Sequence, residues 1–305
     1  MRKRYPTTLL EFEQWFRTED ACREYLIRLR WPDGFRCVQC GHQSAWRTAR
    51  GLLHCANCRW DTSATVGTVL QGSHIPLRLW FRAIWWMTNQ KSGISALSLQ
   101  RALGFGSYRT AWTCLHRLRQ AMIRPGREQL SGEVEVDETL IGGYEKGGGG
   151  RRQKKKTLVV IAAEVRGRGI GRIRLKRIPD ATSASLFGFV ANCVAPKSVV
   201  ITDGSGAYMG LMALGYDYRP RVARNGPAEG VTLLPRVHRV ASLLKRWLLG
   251  THQGRFTHRL LDKYLDEFTF RFNRRTSPNR GMLFYRLLQQ IVATEPLKSK
   301  TINRA

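Results

Sequence analysis

The sequence has few acidic side chains and no long apolar run. Its 22 Asp and Glu residues stand against 51 Lys and Arg, which gives a formal net charge of +29 and a pI near 10.9. The most apolar helical stretch, residues 75–87, contains Arg78 and Arg82 and is far shorter than the ~20 residues that a membrane span requires. Residues 1–4 are basic, but no apolar segment follows them as in a secretory signal. We therefore expect a soluble protein without a membrane partner.

The excess of positive charge favours a polyanionic partner. Lys and Arg that neutralise phosphates release condensed counterions, so a strongly basic chain gains affinity for nucleic acid. A ribosome-like basic protein or a membrane-surface binder would share this charge. Basic and aromatic residues run the whole length of the chain, however, and this distribution favours nucleic acid. With 43% hydrophobic residues, the 305-residue chain is long enough for two or three folded domains.

The seven cysteines do not form the pattern of a disulfide framework. Three are scattered, and four form two C-x2-C pairs that are separated by 14 residues, namely Cys37, Cys40, Cys55 and Cys58. Such paired thiolates can converge on one tetrahedral Zn²⁺, and this pattern also suits a reducing compartment. His42 and His54 are near enough to compete as ligands, but four cysteines complete the shell. A closed site folds the segment and does not catalyse, and it can present Arg36, Arg47, Arg50 and Arg59 to DNA or to another protein.

Hydrophobic periodicity and turn signals predict helices and strands in the rest of the chain. We predict helices over 8–29, 76–90, 94–103, 107–123, 182–194, 235–249 and 257–272, and strands over 133–139, 157–165, 171–178 and 197–203. The expected fold class is a multidomain α+β protein. Its predicted parts are a helical lead-in (1–34), a zinc ribbon (35–70), a helix-turn-helix-like region (71–126), a mixed α/β catalytic domain (130–292) and a polar tail (293–305).

Residues 94–122 have the layout of two helices joined by a glycine-containing turn. In the second helix the apolar positions recur at helical spacing and are expected to face the core, namely Ala111, Cys114, Leu115, Leu118 and Met122. Arg109, Arg117 and Arg119 are expected to point outward, as in a recognition helix of the major groove. An ordinary helical packing unit would give the same pattern.

Two carboxylates lie at the ends of predicted strands, Asp137 in EVEVDET and Asp203 in VVITDGSG. Strand-end aspartates on neighbouring strands can share hard divalent cations, and two such ions about 4 Å apart support phosphoryl transfer. An aspartate before glycine is also a common turn former. Glu138 is expected to point to the opposite face of its strand from Asp137.

Four segments make the chain resemble a known family. VDETLIGG, VVITDGSGAY, LPRVHRVASLLKRWLLGTHQG and YLDEFTFRFNRR are similar to insertion-sequence transposases of the ISXO2-like kind, and the resemblance extends from the cysteines to about residue 290. It implies a zinc ribbon followed by an RNase H-like DDE-type domain with two Mg²⁺ or Mn²⁺ ions. It also implies cleavage at transposon ends by water and attack of the freed 3′-hydroxyl on target DNA. The implied partners are double-stranded DNA (terminal inverted repeats and target) and further copies of the chain, in the bacterial cytoplasm at the nucleoid.

The resemblance also implies the site residues. The first two positions match Asp137 and Asp203, and the third, which is Glu, Asn or His in the family, matches His238, with Lys245 seven residues further along the same helix. His238 would bind metal through a ring nitrogen, and Lys245 would contact a DNA phosphate. Glu229, Asp266 and Glu267 are competing carboxylates, although the last two are expected to pair with nearby arginines.

The remaining predicted DNA contacts are basic residues. The glycine-rich segment 142–156 contains Arg151, Arg152, Lys154, Lys155 and Lys156, and we expect it to order on DNA rather than to serve only as a linker. Arg246, Arg271, Arg274 and Arg275 are further candidates for phosphate contacts. Two alternative functions share the sequence pattern: a catalytically inactive DNA-binding relative with a regulatory or structural role, and a nuclease or recombinase that cleaves without joining.

Overall fold

The computed structural model describes residues 4–124, 126–142, 156–222, 232–254 and 258–296, leaving aside the side chains of residues 258 and 259. It divides into two compact units: unit 1 is Met1–Arg124 with Thr276–Ala305, and unit 2 is Pro125–Arg275. Within the described residues no helix is long and apolar enough to cross a membrane. Most of the predicted basic loop, including Arg151, Arg152, Lys154 and Lys155, lies outside the described residues, as do Glu229 and the end of the tail.

Unit 1 contains a small antiparallel sheet of three strands, β1 (Ala45–Arg47), β2 (Leu53–Cys55) and β3 (Asp61–Thr62), in that order. The predicted lead-in helix is two helices, α1 (Leu9–Trp15) and α2 (Glu19–Arg30). The break has a local cause, because the Thr18 hydroxyl accepts the N–H of Ala21 at 3.1 Å and caps a new helix start.

Three further helices of unit 1 follow the predicted ones closely: α3 (Leu77–Asn89), α4 (Ala96–Leu103) and α5 (Tyr108–Gln120). Gly104 ends α4 in the left-handed conformation with φ of +66°, and Ser107 caps α5 by accepting the N–H of Thr110 at 3.1 Å. The predicted helix, glycine turn and second helix are therefore confirmed.

Unit 2 is built on one five-stranded mixed sheet. Its strands are β4 (Glu133–Ile141), β5 (Thr157–Arg166), β6 (Gly169–Ile178), β7 (Val199–Thr202) and β8 (Asp217–Pro220), in the order β6-β5-β4-β7-β8. The first three strands are antiparallel, whereas β7 joins β4 in parallel and β8 joins β7 in parallel. The predicted hairpin between β5 and β6 turns at Gly167, which has φ of +54°.

Helices cover both faces of this sheet. One face packs against α6 (Ser183–Cys193) and a 3₁₀ helix (Gly206–Leu214), and the other packs against α7 (Pro235–His252) and α8 (His258–Phe272). Side chains alternate along each strand, so Val136 joins the core on the α6 side, while Ile161 and Ile201 join the core on the α7 side. This mixed α/β architecture agrees with the expected RNase H-like domain.

The last helix, α9 (Arg280–Ala293), corrects the predicted domain boundary. It belongs to unit 1, where Phe284 packs against Phe12 and Phe81 with ring centroids 5.4 Å and 5.8 Å away. The domain expected over 130–292 therefore ends near Arg275. The sequence does not predict this arrangement, because the apolar face of α9 could pack against the core of either unit.

Candidate active site

Four cysteine sulfurs converge in the ribbon of unit 1. The Sγ atoms of Cys37, Cys40, Cys55 and Cys58 all lie within 4.8 Å of one another, and the Cys37–Cys58 and Cys40–Cys55 distances are both 3.6 Å. A tetrahedral Zn²⁺ with bonds of about 2.3 Å needs its sulfurs about 3.8 Å apart, so the spacing fits zinc. A backbone hydrogen bond from His42 lowers the pKa of the Cys40 thiol to about 6, which favours the thiolate. These cysteines form a closed structural zinc site.

Neither histidine near the cysteines belongs to this cluster. His54 Nδ1 lies 2.7 Å from Asp61 Oδ1, and the His54 ring lies against Trp46 with centroids 4.5 Å apart. His42 is exposed, and within the described residues the grouped metal-binding side chains are the four cysteines. The expectation that four thiolates complete the shell agrees with this arrangement.

The ribbon exposes part of its positive charge. Arg47 forms an ion pair with Glu24, and Arg50 lies 3.7 Å from Asp61, whereas Arg36 and Arg59 are exposed. Arg59 directly follows the last cysteine and has φ of +58°, a conformation that residues other than glycine rarely adopt.

In unit 2, Asp137 on β4 meets a histidine from α7. Asp137 Oδ1 accepts the N–H of Glu138 at 2.8 Å, and Asp137 Oδ2 lies 3.1 Å from Nε2 of His238. Burial raises the pKa of Asp137 to about 6, and the negative charges of Glu138 and Asp203 add to this rise. The hydrogen bond from the Glu138 N–H and the nearby His238 lower this pKa and so partly offset the rise. A bound cation would relieve this repulsion between carboxylates.

The parallel pairing of β4 with β7 sets Asp203 beside Asp137. The pairing of the two strands ends at Glu135 and Ile201, each of which is two residues before an aspartate, and the charge of Asp203 acts on Asp137. Neighbouring strands are about 4.8 Å apart. The Asp203 carboxylate is exposed and accepts the N–H of Ser205 at 3.0 Å. Asp203 directly follows the end of β7, as predicted, whereas Asp137 is the fifth of the nine residues of β4, because pairing with β5 extends that strand to Ile141. The prediction that Asp137 ends its strand is therefore wrong.

His238 and Lys245 lie on one face of α7 and line an open cavity of about 400 Å³. Their seven-residue spacing is close to two helical turns. Asp137 and Glu138 of β4 line the same cavity. The His238 side chain is 54% exposed and Asp137 is 19% exposed, so the imidazole is open to a ligand. Burial, together with the charge of Lys156, lowers the pKa of Lys245.

The three proposed metal ligands are only partly gathered. Asp137, Asp203 and His238 do not form a group with all ligand atoms within 4.8 Å, and Asp203 is not among the cavity-lining residues. Glu138 turns toward the 3₁₀ helix, where its Oε2 accepts the hydroxyl of buried Tyr208 at 2.8 Å. Glu138 was predicted to point to the opposite face of β4 from Asp137, and the two side chains do have different partners, Tyr208 and His238. Both residues nevertheless line the cavity.

The competing carboxylates of α8 lie elsewhere. Glu267 is fully buried, and its Oε1 is 3.6 Å from Nη1 of Arg271, so the expected pairing with an arginine is present. Burial raises the pKa of Asp266 to about 7, and Asp266 does not line the cavity.

Two further residues, Glu135 and Tyr208, hold this site in place and were not predicted from the sequence. Glu135 is fully buried and accepts hydrogen bonds from the start of α7, and Tyr208 holds Glu138. A signal for Glu135 was available, because it lies two residues before Asp137 and so shares its face of the strand. The partners of Glu135 lie about a hundred residues away, and no local pattern identifies them.

In the helix-turn-helix-like region, the predicted core positions of α5 are confirmed as buried. Arg109 is exposed, and Arg117 donates to the carbonyl of Gln71 at 3.1 Å while bordering a cavity of about 310 Å³. The prediction that Arg119 points outward is wrong. It is 2% exposed, and its Nη1 lies 3.3 Å from His116 Nε2. Its position falls on the inner face of the helix, next to Leu118.

The arginines at the end of α8 fold back onto unit 2. Arg274 lies over the Phe270 ring and donates to the Phe270 carbonyl, and Arg275 lies over Phe272 and donates to the carbonyls of Phe272 and Gly171. Arg271 pairs with Glu267. These guanidinium groups make contacts within unit 2, and their DNA contacts stay a prediction. Arg246 is exposed on α7, and Lys156 lies close enough to Lys245 to affect its charge.

The closed cysteine site and the five-stranded mixed sheet with helices on both faces define a zinc-ribbon protein with an RNase H-like domain. Residues 129–273 match the model of the ISXO2-like transposase domain, and residues 17–60 match that of the transposase zinc-ribbon domain. Together the two models match more than half of the chain, which therefore contains an ISXO2-like transposase domain and a transposase zinc-ribbon domain. The first match ends close to the observed end of unit 2 at Arg275.

Similar proteins include an uncharacterised protein in the transposable element ISH50 of Halobacterium salinarum. It is 28% identical over 278 residues, which cover 84% of this chain and 91% of that protein. Among solved structures, the Mos1 transposase paired-end complex with the left transposon end has 12% identity and a TM-score of 0.31, over 70% of this chain and 75% of that one. The Mos1 strand transfer complex has 15% identity and a TM-score of 0.29, over the same shares.

Proposed function

We propose that this transposase binds the ends of its own insertion sequence and catalyses metal-dependent cleavage and strand transfer there. The observation that carries the proposal is the meeting of Asp137 and His238 at 3.1 Å, on two elements that border one open cavity. Asp203, directly after the neighbouring strand β7, is near enough for its charge to raise the pKa of Asp137. The match to a transposase domain and the relative from a transposable element support the same conclusion.

The donor set suits divalent cations. Two carboxylates and one imidazole supply oxygen and nitrogen ligands, and the repulsion that raises the pKa of Asp137 is of the kind that a cation offsets. Asp137, Asp203 and His238 would hold the ions, which when bound activate the attacking hydroxyl and stabilise the leaving oxygen. Because imidazole suits Mn²⁺ better than Mg²⁺, we expect Mn²⁺ to support the higher activity.

The neighbouring side chains have separate roles. Lys245 lines the cavity with His238, and its ammonium group would contact a phosphate of the DNA end. The hydrogen bond from Tyr208 fixes Glu138 beside the site, where its negative charge adds to the attraction for cations.

The DNA partner is supported by charge and by the helical region of unit 1. The chain carries a net charge of +29, and the exposed Arg109 lies near the capped start of α5. We infer that α5 contacts the terminal repeats and that the exposed Arg246 and the partly buried Lys156 contact backbone phosphates. A multimer on paired ends would bring two such chains together.

The test is a cleavage and strand-transfer assay on DNA that carries the element's own ends. We expect Mn²⁺- or Mg²⁺-dependent release of a 3′-hydroxyl and its joining to target DNA, with both lost in Asp203→Ala and His238→Ala. Asp217→Ala is a matched control, because Asp217 is an acidic residue of the edge strand that pairs with Arg219.

Three other outcomes would change the assignment. Tight binding without cleavage would favour the catalytically inactive relative, for which the histidine at the third position is the favouring observation. Cleavage without joining would indicate a nuclease or recombinase of the same fold. Activity that survives in His238→Ala alone would move the third ligand to another acid, such as Glu229.

A further inference from the structure

Glu135 is a fully buried carboxylate near the start of β4. It shares its strand face with Asp137, and this face packs against α7. Burying a carboxylate is unfavourable unless hydrogen bonds and a counter-charge replace its water. The partners of Glu135 therefore show what its burial achieves.

Those partners are at the first turn of α7. Glu135 Oε2 accepts the backbone N–H of Arg236 at 2.7 Å and that of Val237 at 3.1 Å, and Glu135 Oε1 accepts Nη1 of Arg236 at 2.9 Å. The α7 helix begins at Pro235 after Leu234, which provides no side-chain cap. A helix start leaves N–H groups unsatisfied and attracts negative charge. Glu135 supplies this cap from a strand about a hundred residues earlier.

The cap affects the position of the next residue of the helix. His238 directly follows Val237, and its partner Asp137 lies two residues beyond Glu135 on the same strand. The cap therefore fixes one point of α7 to one point of β4, and the 3.1 Å contact of His238 with Asp137 lies next to that point. His238 is 54% exposed, so packing around its own side chain does little to hold it.

We propose that Glu135 is a positioning residue, which caps α7 and thereby keeps His238 beside Asp137. This inference rests on the proposed function, because it assigns Glu135 to the alignment of that metal site. Glu135 does not itself line the cavity, and its effect on metal binding would pass through His238.

The cap is tested by hydrogen-exchange mass spectrometry on the full chain with zinc retained and without Mn²⁺ or Mg²⁺. In Glu135→Gln, the amide hydrogens of residues 234–240 are expected to exchange about tenfold faster or more, because the charged acceptor is lost. Exchange in β5 is expected to stay within about twofold. Glu164→Gln is the matched control, since Glu164 is a buried carboxylate of the same sheet that binds Arg172 and Ser131 and does not touch α7.

The action through His238 is tested by a double-variant cycle in Mn²⁺ affinity, measured by electron paramagnetic resonance of free Mn²⁺. Glu135→Gln is expected to weaken Mn²⁺ binding about tenfold in the wild-type background and to have little further effect in His238→Ala. Unchanged exchange over residues 234–240, or losses of affinity that add fully in the double variant, would overturn the inference. If His238→Ala alone leaves Mn²⁺ affinity unchanged, the proposed third ligand fails, and the exchange result still decides the role of Glu135 as a cap.

Discussion

The raised pKa of Asp137 predicts that this side chain destabilises the metal-free fold. The change to test is Asp137→Asn, which keeps the shape of the side chain and can still accept the Glu138 N–H. A rise in pKa from an ordinary value near 4 to about 6 corresponds to roughly 3 kcal/mol of folding free energy at pH 8. The folded protein binds the proton more tightly than the unfolded chain, so the ionised carboxylate opposes folding above pH 6. This penalty disappears as the pH falls from 6 towards 4.

The assay is urea unfolding at pH 8 and pH 4.5, with zinc retained and other divalent ions removed. Peptides of β5 are followed by hydrogen exchange so that unit 2 is monitored separately. Asp137→Asn is expected to stabilise unit 2 by about 2–3 kcal/mol at pH 8 and by much less at pH 4.5. Added Mn²⁺ should stabilise the wild type and not the variant.

Asp180 provides a control, because its substitution is expected to change the stability of unit 2 in the opposite direction. Hydrogen bonds from Thr182 and Ser185 lower the pKa of Asp180, so Asp180→Asn is expected to destabilise unit 2 at pH 8, and less so as the pH falls. The reasoning about Asp137 would be refuted if Asp137→Asn were less stable than the wild type at both pH values.

Three further predictions concern other parts of the molecule. Removal of zinc by a strong chelator should expose residues 35–62 to proteolysis while unit 2 keeps its melting temperature, because two of the few buried ribbon side chains are the ligands Cys37 and Cys55; continued resistance of the ribbon would contradict this. Lys245→Ala should weaken binding to DNA ends and reduce the slope of log affinity against log salt by about 1, whereas an unchanged slope would remove Lys245 from the phosphate contact. Gly281→Ala should destabilise unit 1 by about 1–3 kcal/mol in urea unfolding, because a Cβ there would lie 1.7 Å from the carbonyl oxygen of Pro6; wild-type stability would show that the backbone adjusts freely.

Much of the fold could be predicted because its signals are local. The two C-x2-C pairs, the glycine turn before α5 and the alternation along β4 each depend on a few neighbouring residues, and the structure agrees with them. Strand β8 gave no such signal, since its four residues are mostly exposed at the sheet edge and show no apolar alternation. The placement of α9 in unit 1 depends on partners far away in the sequence, such as Phe12.

In the candidate site, too, the features that depend on neighbouring residues could be predicted, and those that depend on distant residues could not. The strand-end position of Asp203 follows from local pattern, and the shared face of His238 and Lys245 follows from helical spacing. The pattern around Asp137 predicted a strand but not its end, because β4 continues to Ile141 through its pairing with β5. The cap that Glu135 provides to α7 depends on a long-range contact and could not be read from spacing. Charge alone does not show which side chains point outward, because Arg119, Arg274 and Arg275 make contacts within their own units.

The central claim is that Asp137, Asp203 and His238 together hold the catalytic metal. The most direct measurement is electron paramagnetic resonance of Mn²⁺ bound to the full chain with element-end DNA, recorded for the wild type and for His238→Ala. We expect a nitrogen hyperfine coupling in the wild type that disappears in His238→Ala, and weaker Mn²⁺ binding in both Asp137→Ala and Asp203→Ala. A Mn²⁺ spectrum without nitrogen coupling in the wild type, or one that is unchanged in His238→Ala, would contradict the account.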